Sequence, residues 1–265
     1  HWIVRRDRAY TLWREGKWAE AIALTREIME GGPMSYERAY PYTELIFSVG
    51  HLDETVAVVE QLKAVEPLAM FISRDLQYDY TAARRIGDAE GEYQRSLSLT
   101  GNDTEPTGLA FHRMLARPDA DPKALRDLHG RLVKLLDWPF LLDLGGVLND
   151  RDAMLAILRE AAEDPAYGGN RDGIVFQMET ADALRDADLA ADALRRFLES
   201  AEGFDDGSMH HTTYWQFWTS PHSSVRSHPE FKRLLIKTGV VDYWRQSGRW
   251  GDGCKPVGAD DFHCG

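Results

Sequence analysis

The stretch Gly16-Lys17-Trp18-Ala19-Glu20-Ala21-Ile22, closed by Pro33, recurs as Gly50-His51-Leu52-Asp53-Glu54-Thr55-Val56, closed by Pro67. Glycine to glycine and proline to proline, the interval is thirty-four positions. A fixed period of this size means stacked supersecondary units, because each unit can bury its apolar face only against its neighbours. Within the first unit the apolar residues recur at helical spacing: Val4, Ala9, Leu12 and Trp13, then Trp18, Ala21, Ile22 and Ile28. Gly16 supplies the tight turn, the small Ala21 sits where two helices approach closely, and Pro33 stops the second helix for want of an N–H. The expected fold class is all-α: a superhelical solenoid of about six helical hairpins.

The second hairpin runs from Ser35 to Glu66, with Tyr42, Leu45, Ile46 and Val49 followed by Val56, Val59 and Leu62. For the third, the next glycine, Gly87, lies thirty-seven positions after Gly50, which predicts about one inserted helical turn and an end at Gly101-Asn102. The fourth spans Glu105 to Leu136 and turns at Arg117–Pro122, with Asp121 as N-cap and Pro122 at the first helical position. The fifth, Trp138 to Glu163, turns at Asn149-Asp150, and the sixth, Gly173 to Ser200, turns at Asp186-Ala187. After Gly203 the texture changes: ten of the chain's aromatic residues fall in 204–265. This divides the chain into a repeat domain, 1–203, and an aromatic-rich capping segment, 204–265, with short helices at Pro229–Lys237 and Val240–Gln246. A stack needs a terminal cap, and Phe231, Leu234, Leu235, Tyr243, Trp244 and Trp250 suit the last hairpin's exposed face.

The net charge of −12 lies wholly before position 204, since 204–265 hold seven acids and seven bases. An acidic body argues against nucleic-acid binding, which needs clustered Lys and Arg. The longest uncharged run, Gly207–Val225, is rich in Ser, Thr and His and is no membrane span. A start at His1 without Met or signal pattern reads as a piece of a longer protein.

Chemistry-bearing patterns are sparse. The chain has no G-x-S-x-G, phosphate-binding glycine loop or H-E-x-x-H, so the expectation is a non-enzyme without cofactor. Cys254 and Cys264, the two cysteines, suit a small disulfide loop or two reduced thiols equally. With His263 they have the wrong spacing for zinc, and no metal site is expected there. His210, His211, His222 and His228, near Asp205 and Asp206, would form either a solvated loop or a pH- or metal-responsive one.

The two strict units resemble the tetratricopeptide-repeat family through Gly16/Gly50, Trp18/Leu52, Glu20/Glu54, Ala21/Thr55, Ile22/Val56 and Pro33/Pro67. The chain departs from the pattern at Arg5, Arg8 and Thr43. The tail, from His228-Pro229-Glu230-Phe231 through Gly248-Arg249-Trp250 to Asp260-Asp261-Phe262, is similar to the C-terminus of bacterial signalling proteins that join a winged-helix or nucleotidyl-cyclase domain to such repeats. The family's Trp-Pro-Asp-Phe-Cys is here Trp250-Gly251-Asp252-Gly253-Cys254. The resemblance implies a protein- or peptide-binding scaffold, the sensory or interaction half of a larger protein whose effector half lies elsewhere. It implies a bacterial cytoplasmic location, or a periplasmic one behind an upstream anchor. The alternative is a small-ligand- or metal-responsive sensor built on the His-rich loop and aromatic tail. In the family the groove is lined by the first helix of each pair, which points to Tyr10, Trp13 and Arg14, to Tyr40, Glu44 and Phe47, and to Arg84 and Arg85. Tyr10, Glu44 and Thr81 stand where chaperone-tail binders carry Asn, so the groove suits an apolar or extended segment rather than a chaperone C-terminus.

Overall fold

The computed structural model describes residues 1–100, 106–136, 138–164, 171–200, 218–220 and 224–265. Among them are fifteen helices, packed in successive pairs, and one two-stranded ladder. The chain divides into two compact units that interleave in sequence. Of the described residues, 1–100, 218–219 and 232–265 belong to the first, and 106–200, 220 and 224–231 to the second. The His-rich stretch through His222, its neighbours Asp205 and Asp206, and the Gly101-Asn102 stop lie outside the described residues.

The first unit contains three hairpins: α1 (Trp2–Arg14) with α2 (Trp18–Glu30), α3 (Tyr36–Ser48) with α4 (Leu52–Val65), and α5 (Met70–Ala82) with α6 (Ile86–Thr100). The helix ends Arg14, Ser48 and Ala82 repeat at the thirty-four-position interval, and so do the helix starts Trp18, Leu52 and Ile86. The expectation of a turn at Gly87 is therefore corrected. The third hairpin turns at Arg84, one full period after Gly50, and Gly87 lies inside α6.

The reason is in the backbone. Gly16, Gly50 and Arg84 have φ of 73°, 78° and 62°. Each donates its N–H to the carbonyl three residues back, at 2.9, 2.8 and 3.1 Å. The following residue donates five back, from Lys17 to Leu12, His51 to Ile46 and Arg85 to Tyr80, at 2.9, 2.9 and 2.7 Å. This is the Schellman helix ending, which satisfies two orphan carbonyls. Arginine enters that left-handed region at a cost of roughly 1–2 kcal/mol, so a search for glycine overlooks the third turn. The small-residue position persists as well: Ala21, Thr55 and Ala89 are all buried.

The second unit holds α7 (Pro106–Leu115), α8 (Pro122–Leu135), α9 (Pro139–Gly146), α10 (Arg151–Glu163), α11 (Arg171–Ala183), α12 (Ala187–Ser200) and α13 (Ser224–Ser227). Asp121 caps α8 by accepting from Lys123 N at 2.9 Å, with Pro122 at the first position as the sequence predicts. Asp150 caps α10 by accepting from Ala153 N at 3.0 Å. The turn between α11 and α12 is a fourth Schellman ending, with Arg185 at φ 60°. Phe111, Leu141, Leu144, Leu158, Phe176 and Leu194 form its apolar core.

The tail comprises α14 (Pro229–Lys237), α15 (Val240–Ser247) and an antiparallel ladder, β1 (Cys254–Val257) with β2 (Asp261–Cys264). The ladder is an addition to the all-helical expectation. Cys254 stands opposite Cys264 in register, and a disulfide joins them at a Cα–Cα separation of 4.1 Å.

Within the first unit the tail packs on the second hairpin: the Trp244 indole N–H donates to Val49 O at 2.8 Å, and that of Trp218 donates to Ser48 O at 3.2 Å. In return Trp18 donates to Thr238 O at 2.7 Å. Ser48 and Val49 end α3, where carbonyls lack intrahelical donors, and a buried indole N–H needs an acceptor. Asp252 completes the clasp: its N–H reaches Gly50 O at 2.7 Å and its carboxylate accepts from Asp53 N at 2.9 Å in the first turn of α4. In the second unit Ser220 and Ser224 donate to Asp182 of α11, and α13 packs on α12.

Candidate partner-binding face

In the first unit three of the predicted residues, Tyr10 and Trp13 of α1 and Glu44 of α3, come together. Tyr10 Oη donates to Glu44 Oε2 at 3.0 Å, a contact between equivalent positions of successive hairpins. Trp13 lies 6.3 Å from the Tyr10 ring and 5.9 Å from Trp18. Tyr40 is 5.1 Å from Tyr36, whose ring is 4.1 Å from Phe71. Trp13, Glu44 and Phe47 are buried, Tyr10 and Tyr40 half-buried, and Arg14 exposed. Trp13 and Phe47 therefore serve the core as much as any surface.

Arg84 and Arg85 are corrected as first-helix residues, since they form the turn after α5. Arg85 pairs with Glu60 at 3.1 Å and Asp88 at 2.7 Å, and its guanidinium lies 4.4 Å from the Tyr80 ring centre. The positions on α5 that match Tyr10/Glu44 and Trp13/Phe47 are Tyr78 and Thr81.

Sequence reasoning missed the polar interior of α5. Ser73, Asp75, Gln77, Asp79 and Thr81 are all buried. Tyr36 Oη donates to Asp75 Oδ2 at 2.8 Å, and Arg74 Nε donates to Asp75 Oδ1 at 3.2 Å. Burial pushes the Asp75 carboxyl up to about 6 against the pull of Arg74 and Tyr36, with the Glu44 charge adding to the rise. Burial, with the Asp75 charge beside it, drives Asp79 well above the usual carboxylate range. Burial and the Glu44 charge likewise raise the Tyr10 hydroxyl, which keeps it a donor. The signal lay in the thirty-four-position register: aligned on Arg84 rather than Gly87, α5 becomes an inner helix carrying two aspartates one turn apart.

A second polar group occupies the other unit. His112 Nε2 lies 3.0 Å from Thr180 Oγ1 and its Nδ1 lies 3.0 Å from Glu179 Oε2. The trio has the order of nucleophile, base and orienting acid. All three side chains are buried, however, and Thr180 commits its proton to Phe176 O at 2.7 Å. The hydroxyl braces the helix and is not poised for attack.

His228 Nδ1 accepts from Glu230 N at 3.2 Å, at the start of α14. Among the described residues no three His, Cys, Asp or Glu side chains are arranged to hold a metal ion, and no helix is long and apolar enough to cross a membrane.

Fold and site thus define a predominantly helical protein of successively paired helices, with an aromatic and acidic face along α1, α3 and α5 and a disulfide-closed C-terminal ladder. No protein-family model matches the chain, and no curated protein matches it.

Proposed function

We propose that this chain is a tetratricopeptide-like, non-enzymatic scaffold that binds a protein or peptide segment along the first helices of its first three hairpins. In this reading it is the sensory or interaction part of a larger bacterial signalling or transcription-regulating protein. The observation that carries the reading is the Tyr10–Glu44 hydrogen bond between equivalent positions of neighbouring hairpins, because it makes α1 and α3 consecutive strips of one face. The strict spacing of the helix ends extends that face to α5. Half-buried tyrosines beside exposed arginines provide rigid, amphipathic contact area of the kind that grips an extended segment.

The test is a selection of phage-displayed random dodecapeptides on the full chain. Enriched peptides are expected to bind the parent and to lose at least tenfold in affinity on a Tyr10→Ala/Tyr40→Ala variant. Arg159→Ala, on α10 of the other unit, should leave binding unchanged. An unenriched library, or peptides indifferent to the tyrosines, overturns the proposal. Trp13 and Phe47 are poor probes, since both are buried and truncation would cost about 3–5 kcal/mol of stability.

A further inference from the structure

The first unit carries three buried carboxylates on two helices joined by the Tyr36–Asp75 hydrogen bond: Glu44 on α3, and Asp75 and Asp79 one turn apart on α5. Asp75 has Tyr36 and Arg74, and Glu44 has Tyr10. Asp79 differs. It is fully buried, and neither carboxylate oxygen has a hydrogen-bond partner among the described residues. Gln77, two residues before it and also fully buried, has no partner for its amide oxygen or nitrogen among them either.

A buried carboxylate with no donor costs several kcal/mol if ionised, and native interiors rarely leave one so. The charge beside it adds to the acidity: the Asp75 carboxylate, one turn away, raises Asp79 further, and the Arg74 guanidinium is engaged with Asp75. The half-buried Tyr10 and Tyr36 hold the outer edge of the row by donating to Glu44 and Asp75. Both are half-buried, so the row meets solvent through them. A guanidinium or ammonium brings several charged N–H donors, and the Asp79 carboxylate has no donor among the described residues.

We propose that the row Glu44–Asp75–Asp79 is the specificity subsite of the peptide-binding face and receives a Lys or Arg side chain of the bound segment. This rests on the peptide-binding reading above and adds to it the chemistry of the ligand. The raised proton affinity of Asp79 fits an empty subsite that ionises when a cation enters.

Titration calorimetry in 0.15 M salt, with the full chain and three capped octapeptides, tests it: (Gly-Arg)4, (Gly-Gln)4 and (Gly-Glu)4. The arginine peptide is expected to bind one to one, and the other two not to bind. Asp79→Asn should weaken the arginine peptide at least tenfold, while its melting temperature at pH 7 stays level or rises because a strained buried acid is gone. Asp152→Asn removes one exposed charge from the other unit and should change affinity less than twofold. Equal losses in both variants would mean attraction to an acidic protein as a whole and overturn the subsite. Failure of the arginine peptide to bind overturns it too, whatever the library returns. An unenriched dodecapeptide library removes the underlying peptide-binding reading instead. Peptides that depend on Tyr10 and Tyr40 but carry no basic residue keep that reading and eliminate the cationic subsite.

Discussion

Gly16 and Gly50 hold the same place in successive turns, yet their surroundings differ. A Cβ at Gly16 would meet nothing within 4 Å, whereas one at Gly50 would sit 2.7 Å from two ring carbons of Trp218. Gly16→Ala should therefore cost only the left-handed strain, about 1 kcal/mol. Gly50→Ala adds an overlap that displaces an indole and its hydrogen bond to Ser48, for a total of about 3 kcal/mol or more. Urea denaturation followed by circular dichroism measures the difference, and equal losses would contradict the clasp around this turn. His51, the next residue, is buried against Tyr243, 5.8 Å between ring centres. Burial and then the Arg249 charge hold its imidazole below the ordinary range, while Glu54 and Asp252 pull the other way. A histidine kept neutral by the fold stabilises it above pH ~6.5, and that stability is lost as pH falls toward the depressed native value. Asp75 and Asp79, with raised values, run in the opposite sense and favour the fold on acidification. The quantity to measure is thus the difference between parent and His51→Gln. The stability lost between pH 7.5 and 5.5 should be smaller in the variant.

At the scale of elements, the third hairpin discriminates between two registers. With the turn at Arg84, Gly87 is an exposed glycine inside α6 whose Cβ would meet nothing. Gly87→Ala should then stabilise by about 0.5–1 kcal/mol. Arg84→Gly should relieve left-handed strain of similar size. Were the chain to turn at Gly87, the alanine would destabilise instead, so thermal unfolding of these two variants decides the register. Where a helix boundary is made by neighbours in sequence, it was readable in advance: Asp121-Pro122 and Asp150 cap α8 and α10 as their residue types require. Gly16 and Gly50 were readable for the same reason. Arg84 and Arg185 were not, because a left-handed arginine carries no compositional mark.

For the whole molecule, the tail's packing within the first unit is what the one-dimensional pattern left out. Trp244 and Phe262 are buried, Trp250 lies 5.3 Å from Trp244, and Lys232 pairs with Asp261 at 2.9 Å. The disulfide joins cysteines ten apart in sequence, a closure worth about 3 kcal/mol by chain entropy. Reduction, or Cys254→Ala with Cys264→Ala, should lower stability by about that amount. Hydrogen exchange read by mass spectrometry should show lost protection in 240–265 and at the Ser48–Asp53 turn, with 106–164 unaffected. Uniform loss across both units would contradict the separate clasp. Gly251 stands where no side chain fits: a Cβ would sit 2.7 Å from Trp244 and 2.9 Å from Val49 O.

The candidate face divides along the same line. Tyr10, Tyr40 and Glu44 were named from the family resemblance; the period by itself makes Tyr10 and Glu44 equivalent positions, and the hydrogen bond between them joins successive hairpins. The burial of Trp13 and Phe47, and the absence of a donor to Asp79 among the described residues, were not legible, because solvent exclusion depends on every element packed around a side chain. The sequence by itself determined the helices, their pairing and most of their ends, all set by interactions between near neighbours along the chain. Only the tertiary structure decided which hairpin of the first unit the tail clasps and that Asp79 is buried with no donor among the described residues. Those outcomes hang on contacts such as Trp244 with Val49, far apart along the chain, that no local spacing encodes.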